Sequence, residues 1–301
     1  MRRRVARWAS LAVRALARAG RGQVTSGPVL VFGATGTQGG AVVRELLVRA
    51  VDVQVLVRDP QSERAQALAK SGAQLVVGDL RDEWSLARAM SSAAVAYAIT
   101  TPFAEGADAE VHQGYAIIRA AVEARLPWLI FASVAAASRA EVPHFQSKAR
   151  IEEQLRDAAV PWTVVAPSYF YENVLGSRTA ILEGLLPLSL PQDKPLHQVG
   201  LRDLGAVVAA ILERREEHLS QRVEIAADAP TPREMADALG ARAVETPLDE
   251  LRERSPDLAA LYAFLANDGY GVDVRAVRAR YPEVAWMSFV EWAADVEWDT
   301  S

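Results

Sequence analysis

The chain of 301 residues contains no cysteine. That absence excludes disulfides, thiolate metal ligands and a cysteine nucleophile, and it suits the reducing cytoplasm, where we expect the protein to reside. Histidine is scarce: there are four, at positions 112, 144, 197 and 218. None stands at a metal-site spacing such as HExxH, so no metal is expected. No stretch approaches the ~20 consecutive apolar residues that cross a bilayer, and no transmembrane segment is expected. Acidic residues are missing from the first 44 positions, Glu45 being the first, whereas Arg2, Arg3, Arg4, Arg7, Arg14, Arg18 and Arg21 crowd the start. Without those seven arginines the formal charge falls from −5 to −12. An acidic body lacks the basic stripes that hold phosphate backbones, which argues against direct nucleic-acid contact.

Half of the residues are apolar and about a quarter are charged, the usual balance of a soluble globular protein. The length allows one large domain or one and a half. Residues 1–28 read as a basic extension, poorly ordered, set apart from the body. On a helical wheel Val5, Trp8, Ala12 and Leu16 share one side and Arg3, Arg7, Arg14, Arg18 and Arg21 the other, the pattern of a surface-lying amphipathic helix. Arg14 interrupts the apolar run too early for a secretory signal. Three readings stay open: a start that properly lies near Val24, an unstructured native tail, and a membrane-surface or targeting segment.

From Val29 onward, short apolar runs alternate with helical patterns. Strands are predicted at 29–33, 53–57, 74–77, 95–99, 128–132 and 162–166, and helices at 38–50, 61–71, 82–91, 108–125 and 146–158. Such alternation is the mark of βαβ units. The fold class is therefore α/β, a Rossmann-type doubly wound parallel sheet over 29–167, with right-handed crossovers. Beyond Pro167 the rhythm becomes irregular. Prolines 187, 191 and 195 exclude a helix there. A helix is predicted at 201–214, a late strand at 222–226, a short helix at 232–239, and further helices from Asp249. Trp286, Trp292 and Trp298 are expected to close an apolar cluster. Residues 168–301 thus read as a smaller α+β domain that packs over the strand C-termini, some segments of it returning to the sheet.

The first strand runs into Gly33-Ala-Thr-Gly36-Thr-Gln-Gly39, and an amphipathic helix follows at once. Strand, glycine turn and helix together form a dinucleotide-binding fingerprint. Gly33 permits the tight turn, Gly36 lets backbone approach a pyrophosphate, and Gly39 lets helix and strand pack closely. The helix N-terminus presents unpaired N–H groups to the phosphates, and Thr35, Thr37 and Gln38 complete the cofactor-binding turn. Cofactor preference is set at the end of the second strand, which reads Val57-Arg58-Asp59-Pro60. An acidic residue suits the ribose hydroxyls of NAD, an arginine the 2′-phosphate of NADP. Asp59 before Pro60 fits a helix N-cap with proline at the first helical position, which leaves Arg58 for phosphate and favours NADP(H). Asp79, with Leu80 beside it, ends the third strand, where it either accepts from adenine or caps the next helix. Thr100, Thr101 and Pro102 end the fourth, in reach of the nicotinamide half or the substrate cleft.

These residues resemble the NmrA-like branch of the atypical short-chain dehydrogenases/reductases over nearly all of 29–298. The marks are the turn at 33–39, Val57-Arg58-Asp59-Pro60, Gly78-Asp79-Leu80, Phe145-Gln-Ser-Lys148 with Glu152, Trp162-Thr-Val-Val-Ala-Pro167 and Phe170-Tyr-Glu-Asn173. The resemblance implies an NADP(H)-binding domain and a smaller C-terminal domain forming a cleft. The family includes reductases of quinones, azo dyes and isoflavone-type ketones, and also NADP-binding redox sensors that regulate transcription factors.

The wider superfamily places a tyrosine four residues before a lysine, with a serine from the preceding strand end. Here Lys148 is present, with Ser133 at the end of the fifth strand. The tyrosine position holds His144, which either donates a proton, since imidazole titrates near neutrality, or is an exposed loop residue after Pro143. Lys148 is expected to touch the nicotinamide ribose. Tyr169 and Phe170 are expected to line the cleft, with Asn173 beside them orienting backbone or substrate. Hydride transfer to a quinone needs no strong protein acid, because solvent protonates the product. The residues therefore predict an NADPH-dependent reductase of a quinone-like small molecule, or else a non-catalytic NADP(H) sensor whose contacts with a protein partner follow its redox state.

Overall fold

The computed structural model describes residues 27–102 and 105–298. The amphipathic helix and the alternative starts expected within 1–26 lie outside the described residues.

Six strands follow one another through the first half: β1 (Val29–Val31), β2 (Val53–Val57), β3 (Gln74–Val77), β4 (Val95–Ile99), β5 (Leu129–Ala132) and β6 (Trp162–Pro167). The helices between them are α1 (Thr37–Val48), α2 (Glu63–Lys70), α3 (Glu83–Met90), α4 (Ala107–Glu123) and α5 (Pro143–Arg156). A seventh strand comes from the second half. In the order of introduction, the later elements are β7 (Tyr169–Phe170), a 3-10 turn (Tyr171–Ser177), α6 (Arg178–Leu182), β8 (Leu185–Leu188), β9 (Gln198–Val199), α7 (Leu201–Glu213), α8 (Arg215–His218) and β10 (Gln221–Ile225). The chain ends with α9 (Pro232–Ala238), β11 (Arg242–Glu245), α10 (Leu248–Arg254), α11 (Pro256–Asn267), α12 (Val274–Arg280) and α13 (Phe289–Asp295).

The main sheet has the order β3-β2-β1-β4-β5-β6-β10 and every pairing is parallel. This is the α/β Rossmann-type doubly wound sheet, extended by β10. Parallel sheets are covered on both faces, so alternate side chains enter two separate cores. Val29, Val31, Tyr97 and Ile130 lie in one apolar cluster, while Leu30, Phe32, Ala96, Ala98 and Phe131 lie in the other. On the first face α7 lies against α1, close enough that a Cβ at Gly205 would meet the Ala41 carbonyl oxygen at 3.0 Å. Two short parallel pairs, β7 with β9 and β8 with β11, stand outside the main sheet. The C-terminal tryptophans pack as expected: Trp292 meets Trp298 edge-on, with Phe289 and Tyr171 beside Trp292, and Trp286 lies against the same core. No helix among the described residues is long and apolar enough to cross a membrane.

Two helix starts in the first half differ from the sequence reading by more than one residue. The helix after β2 begins at Glu63, and its N-cap is Ser62, whose hydroxyl accepts from the Ala65 N–H. Asp59 instead accepts from the Gln61 N–H at 2.8 Å, the local turn that a short carboxylate forms with backbone two residues on. Asp59 therefore does not cap that helix. The fifth helix begins three residues earlier than its apolar pattern suggests, because Pro143 occupies the first turn, where its preset φ and missing N–H carry no penalty. His144 consequently belongs to a helix rather than to an exposed loop.

Candidate functional site

Open parallel sheets bind ligands at the strand C-termini where the order reverses direction. Here the reversal falls between β1 and β4, and the glycine turn follows β1 there. Gly33 has φ +65°, a left-handed conformation that glycine adopts at little cost. Gly39 is buried, and a Cβ there would stand 2.4 Å from the Gly33 carbonyl oxygen. The turn exists in this form only with glycine at that point. The N-cap of α1 is Gly36, which offers no side chain to the first-turn N–H groups. Those donors are left to a ligand or to solvent, and Gly33, Thr35, Gly36 and Thr37 are all exposed beside them. Gln38 is half-buried and donates to the Tyr97 hydroxyl at 3.1 Å, fastening the turn to β4. A cradle that a Cβ would fill, combined with uncapped N–H groups, fits a dinucleotide pyrophosphate.

Next to the turn, Arg58 follows β2 and is exposed. Its guanidinium makes no hydrogen bond or ion pair with the described residues. It lines a recess of ≈ 260 Å³ with Asp79, Trp84 and Arg88, and the Arg88 guanidinium lies over the Trp84 ring at 4.8 Å. Asp79 is half-buried and pairs with Arg81, whose backbone N–H and guanidinium both donate to it. Those bonds hold its carboxyl below the usual range. The cap of α3 is Asp82 rather than Asp79. Leu80 is half-buried between them.

On the other side of the turn lie the ends of β4 and β5. Thr100 is buried, Thr101 is exposed and Pro102 is half-buried. Lys148 reaches this point from α5. Its Nζ donates to the Thr100 carbonyl at 3.0 Å, the Thr100 hydroxyl at 3.0 Å and the Ala132 carbonyl at 3.1 Å, and lies 3.0 Å from Glu110 Oε1. Glu110, on α4, is fully buried and also accepts from the hydroxyls of Thr100 and Ser147. Burial lowers the Lys148 pKa and the Glu110 carboxylate opposes that shift. All three ammonium protons have acceptors in the chain, so Lys148 ties β4, β5 and α4 together from within. Ser133 is buried and donates to Glu152, which also pairs with Arg222 of β10 at 2.8 Å and with Arg156 at 3.1 Å.

At the head of α5, His144 Nδ1 lies 2.6 Å from Asp257 Oδ2, and the His144 backbone N–H donates to Asp257 Oδ1 at 3.1 Å. Burial lowers the His144 pKa, while Asp257 acts to raise it. The half-buried Tyr169 shares a 2.9 Å hydrogen bond with Tyr262 and is also bonded by the exposed Asn173. Its pKa is raised by burial. Phe170, half-buried, is packed against the main core. The sequence reading missed Glu110, Asp257 and Tyr262. A glutamate on an apolar helix face was a signal for the first. Asp257 and Tyr262 gave none, since each meets its partner across about a hundred residues of chain.

Comparison with known proteins finds relatives in sequence and in fold. An NAD(P)H azoreductase from Xenophilus azovorans is 29% identical over 188 residues, 62% of this chain and 63% of that protein, a little under two thirds of its length. An NmrA-like oxidoreductase, notA, from an Aspergillus species is 30% identical over 246 residues, covering 71% of this chain and 72% of the relative. Among solved structures, an NADPH-dependent quinone oxidoreductase from Escherichia coli complexed with NADPH superposes with TM-score 0.76 at 22% identity, over 88% of this chain and 98% of that one. NmrA, a negative transcriptional regulator, solved in complex with NADP, does so with TM-score 0.73 at 18% identity, over 90% and 95%. Both share the fold. The profile of the NmrA-like family matches residues 25–250, and the chain belongs to that family.

Proposed function

We propose that the protein is an NADP(H)-dependent reductase of quinone-like or related planar small molecules. One contrast carries the cofactor assignment: Asp59, the acidic residue that would suit ribose hydroxyls, is folded back on the Gln61 N–H, whereas neighbouring Arg58 keeps its donors for a 2′-phosphate. Bound at this turn, the reduced dinucleotide would supply a hydride. The chain's own residues do the rest. The Gly33–Gly39 turn and the α1 N-terminus hold the pyrophosphate, and Arg58 holds the adenosine phosphate. Lys148 and Glu110 fix the ends of β4 and β5, where the nicotinamide half would lie. Tyr169 and Tyr262, joined through their hydroxyls, with Phe170 next to Tyr169 in the chain, would line the cleft for a flat acceptor. The azoreductase and quinone oxidoreductase relatives support this class of reaction.

Following NADPH absorbance against a panel of quinones, azo dyes and enones tests the reading. Turnover of at least one planar acceptor is expected, and tight NADPH binding without turnover of any would contradict it. One observation favours a second reading, a non-catalytic NADP(H) sensor acting through a protein partner. The protons of Lys148 and of Ser133 are all committed inside the chain. Capture of a partner that depends on NADP versus NADPH would select that reading.

A further inference from the structure

Arg58 shares its recess with a second cation. Arg88, on α3, lines the same ≈ 260 Å³ space, and so do Asp79, Asp82 and Trp84. Val57 stands level with Val77 in the sheet, so Arg58 leaves β2 beside the point where β3 ends. The strand that carries the glycine turn, β1, lies on the far side of β2. Adjacent strands are about 4.8 Å apart, which puts the end of β3 on the order of 10 Å from the turn. That is the reach of an adenosine from its pyrophosphate.

Among the described residues neither guanidinium is in an ion pair. The Arg88 guanidinium lies over the Trp84 ring at 4.8 Å from its centroid. A guanidinium held against an aromatic face still has in-plane N–H groups to give to an oxyanion. Trp84 is 65% exposed, so it adds little to the core, and its contact with Arg88 is made at the rim of the recess. The two carboxylates at the recess are already occupied. Asp79 accepts from the backbone and the guanidinium of Arg81, and Asp82 accepts from the Ser85 N–H as the cap of α3. Arg58 acts on Asp79 through space alone, as the smallest influence on that carboxyl.

We propose that Arg58 and Arg88 together hold the 2′-phosphate of NADP(H) in this recess, and that Trp84 positions Arg88 for it. This deepens the NADP(H) reading and rests on it. A phosphomonoester near neutrality carries close to two negative charges on three acceptor oxygens, more than one guanidinium neutralises. Cations from two elements, the end of β2 and the helix α3, match that charge. A ribose hydroxyl has no such charge, so the second arginine adds to the affinity for NADP(H) and leaves NAD(H) unaffected. The parts follow the cofactor in order: the Gly33–Gly39 turn for the pyrophosphate, the ends of β2 and β3 for the ribose, and α3 for its phosphate.

Wild type, Arg88→Gln, Trp84→Ala and Trp84→Phe are titrated with NADPH and with NADH by nicotinamide fluorescence, and with 2′,5′-ADP and inorganic phosphate by calorimetry. Both side chains are exposed, so the variants should melt at the wild-type temperature. Loss of a charge-assisted phosphate contact should weaken NADPH and 2′,5′-ADP by about tenfold or more in Arg88→Gln, with NADH held within about twofold. Trp84→Ala should weaken NADPH alone by roughly two- to fivefold, the size of an exposed cation–π contact, and Trp84→Phe should restore most of it. Equal weakening of NADPH and NADH in Arg88→Gln, or no weakening of NADPH, would overturn the second-cation role. Equal weakening of both in Trp84→Ala would overturn the positioning role and give Trp84 to the adenine instead. Inorganic phosphate bound as tightly as 2′,5′-ADP would make the recess a site for free phosphate and overturn the nucleotide assignment. Each of these results leaves a wild-type preference for NADPH standing. A wild type that prefers NADH removes the NADP(H) reading, and this role with it.

Discussion

Gly39 has no room for a methyl group, since a Cβ there would lie 2.4 Å from the Gly33 oxygen and 2.9 Å from the Ala34 nitrogen. Both contacts are with backbone, which cannot rotate away as a side chain would. Gly39→Ala should therefore push α1 off β1 and destabilise the protein by about 1–3 kcal/mol. Urea denaturation reads this as a lower midpoint, and fluorescence titration should show NADPH binding weakened by roughly tenfold or more as the helix N-terminus retreats. Wild-type stability and affinity in this variant would remove the close-packing argument. The role of Gly39 was legible in the sequence because the turn is local: every atom it must avoid lies within six residues. The partner of His144 was not, because Asp257 is 113 residues away and nothing in its own neighbourhood marks it.

Between elements, the contact of α4 and α5 with the strand ends is made by a buried ion pair. Glu110 is fully buried and, among the described residues, is the sole carboxylate within 4 Å of the Lys148 ammonium. Removing one partner of such a pair leaves an uncompensated buried charge and costs about 3–5 kcal/mol, whereas replacing both with apolar groups can be nearly neutral. Glu110→Ala should accordingly lower the urea midpoint steeply, and Glu110→Leu with Lys148→Met should recover much of the loss. If the single substitution left the midpoint in place, the pair would not be what joins these elements. Elements were read well where they are apolar throughout: the strands at 53–57, 74–77 and 95–99 have the observed bounds. They were misjudged where a polar cap or a proline decides, as at Ser62 and Pro143, since those starts carry no apolar period.

Across the whole molecule, the second half returns to the first with β10 beside β6 and α7 on α1, and α11 also meets α5. His218 locks this return. It is fully buried, with Nδ1 2.8 Å from the Arg214 carbonyl and Nε2 2.9 Å from the Tyr281 hydroxyl. Burial holds its pKa below the ordinary 6.5, so the folded protein keeps it neutral while the unfolded chain protonates it. Its contribution to stability is complete above the unfolded pKa and is lost as pH falls through the folded one. Wild type should thus lose more stability from about pH 7.5 to about pH 5.5 than His218→Phe does. Buried carboxylates such as Glu172 and Asp203, whose pKa values are raised, respond with the opposite sign but are common to both proteins and cancel in the difference. Equal pH dependence in the two would show that His218 is not held neutral. This interleaving was only partly legible. A late strand near 222–226 was visible, but its place at the sheet edge depends on register with β6, which no local pattern encodes.

The proposed preference of the turn at Gly33–Gly39, flanked by Arg58, is for NADP(H) over NAD(H). Fluorescence titration of NADPH and NADH against wild type and Arg58→Ala tests it most directly. A lost charge-assisted phosphate contact is worth about 1.5–3 kcal/mol, so Arg58→Ala should weaken NADPH by roughly tenfold or more while NADH affinity stays within about twofold. Equal weakening of both nucleotides, or a wild type that prefers NADH, would contradict it.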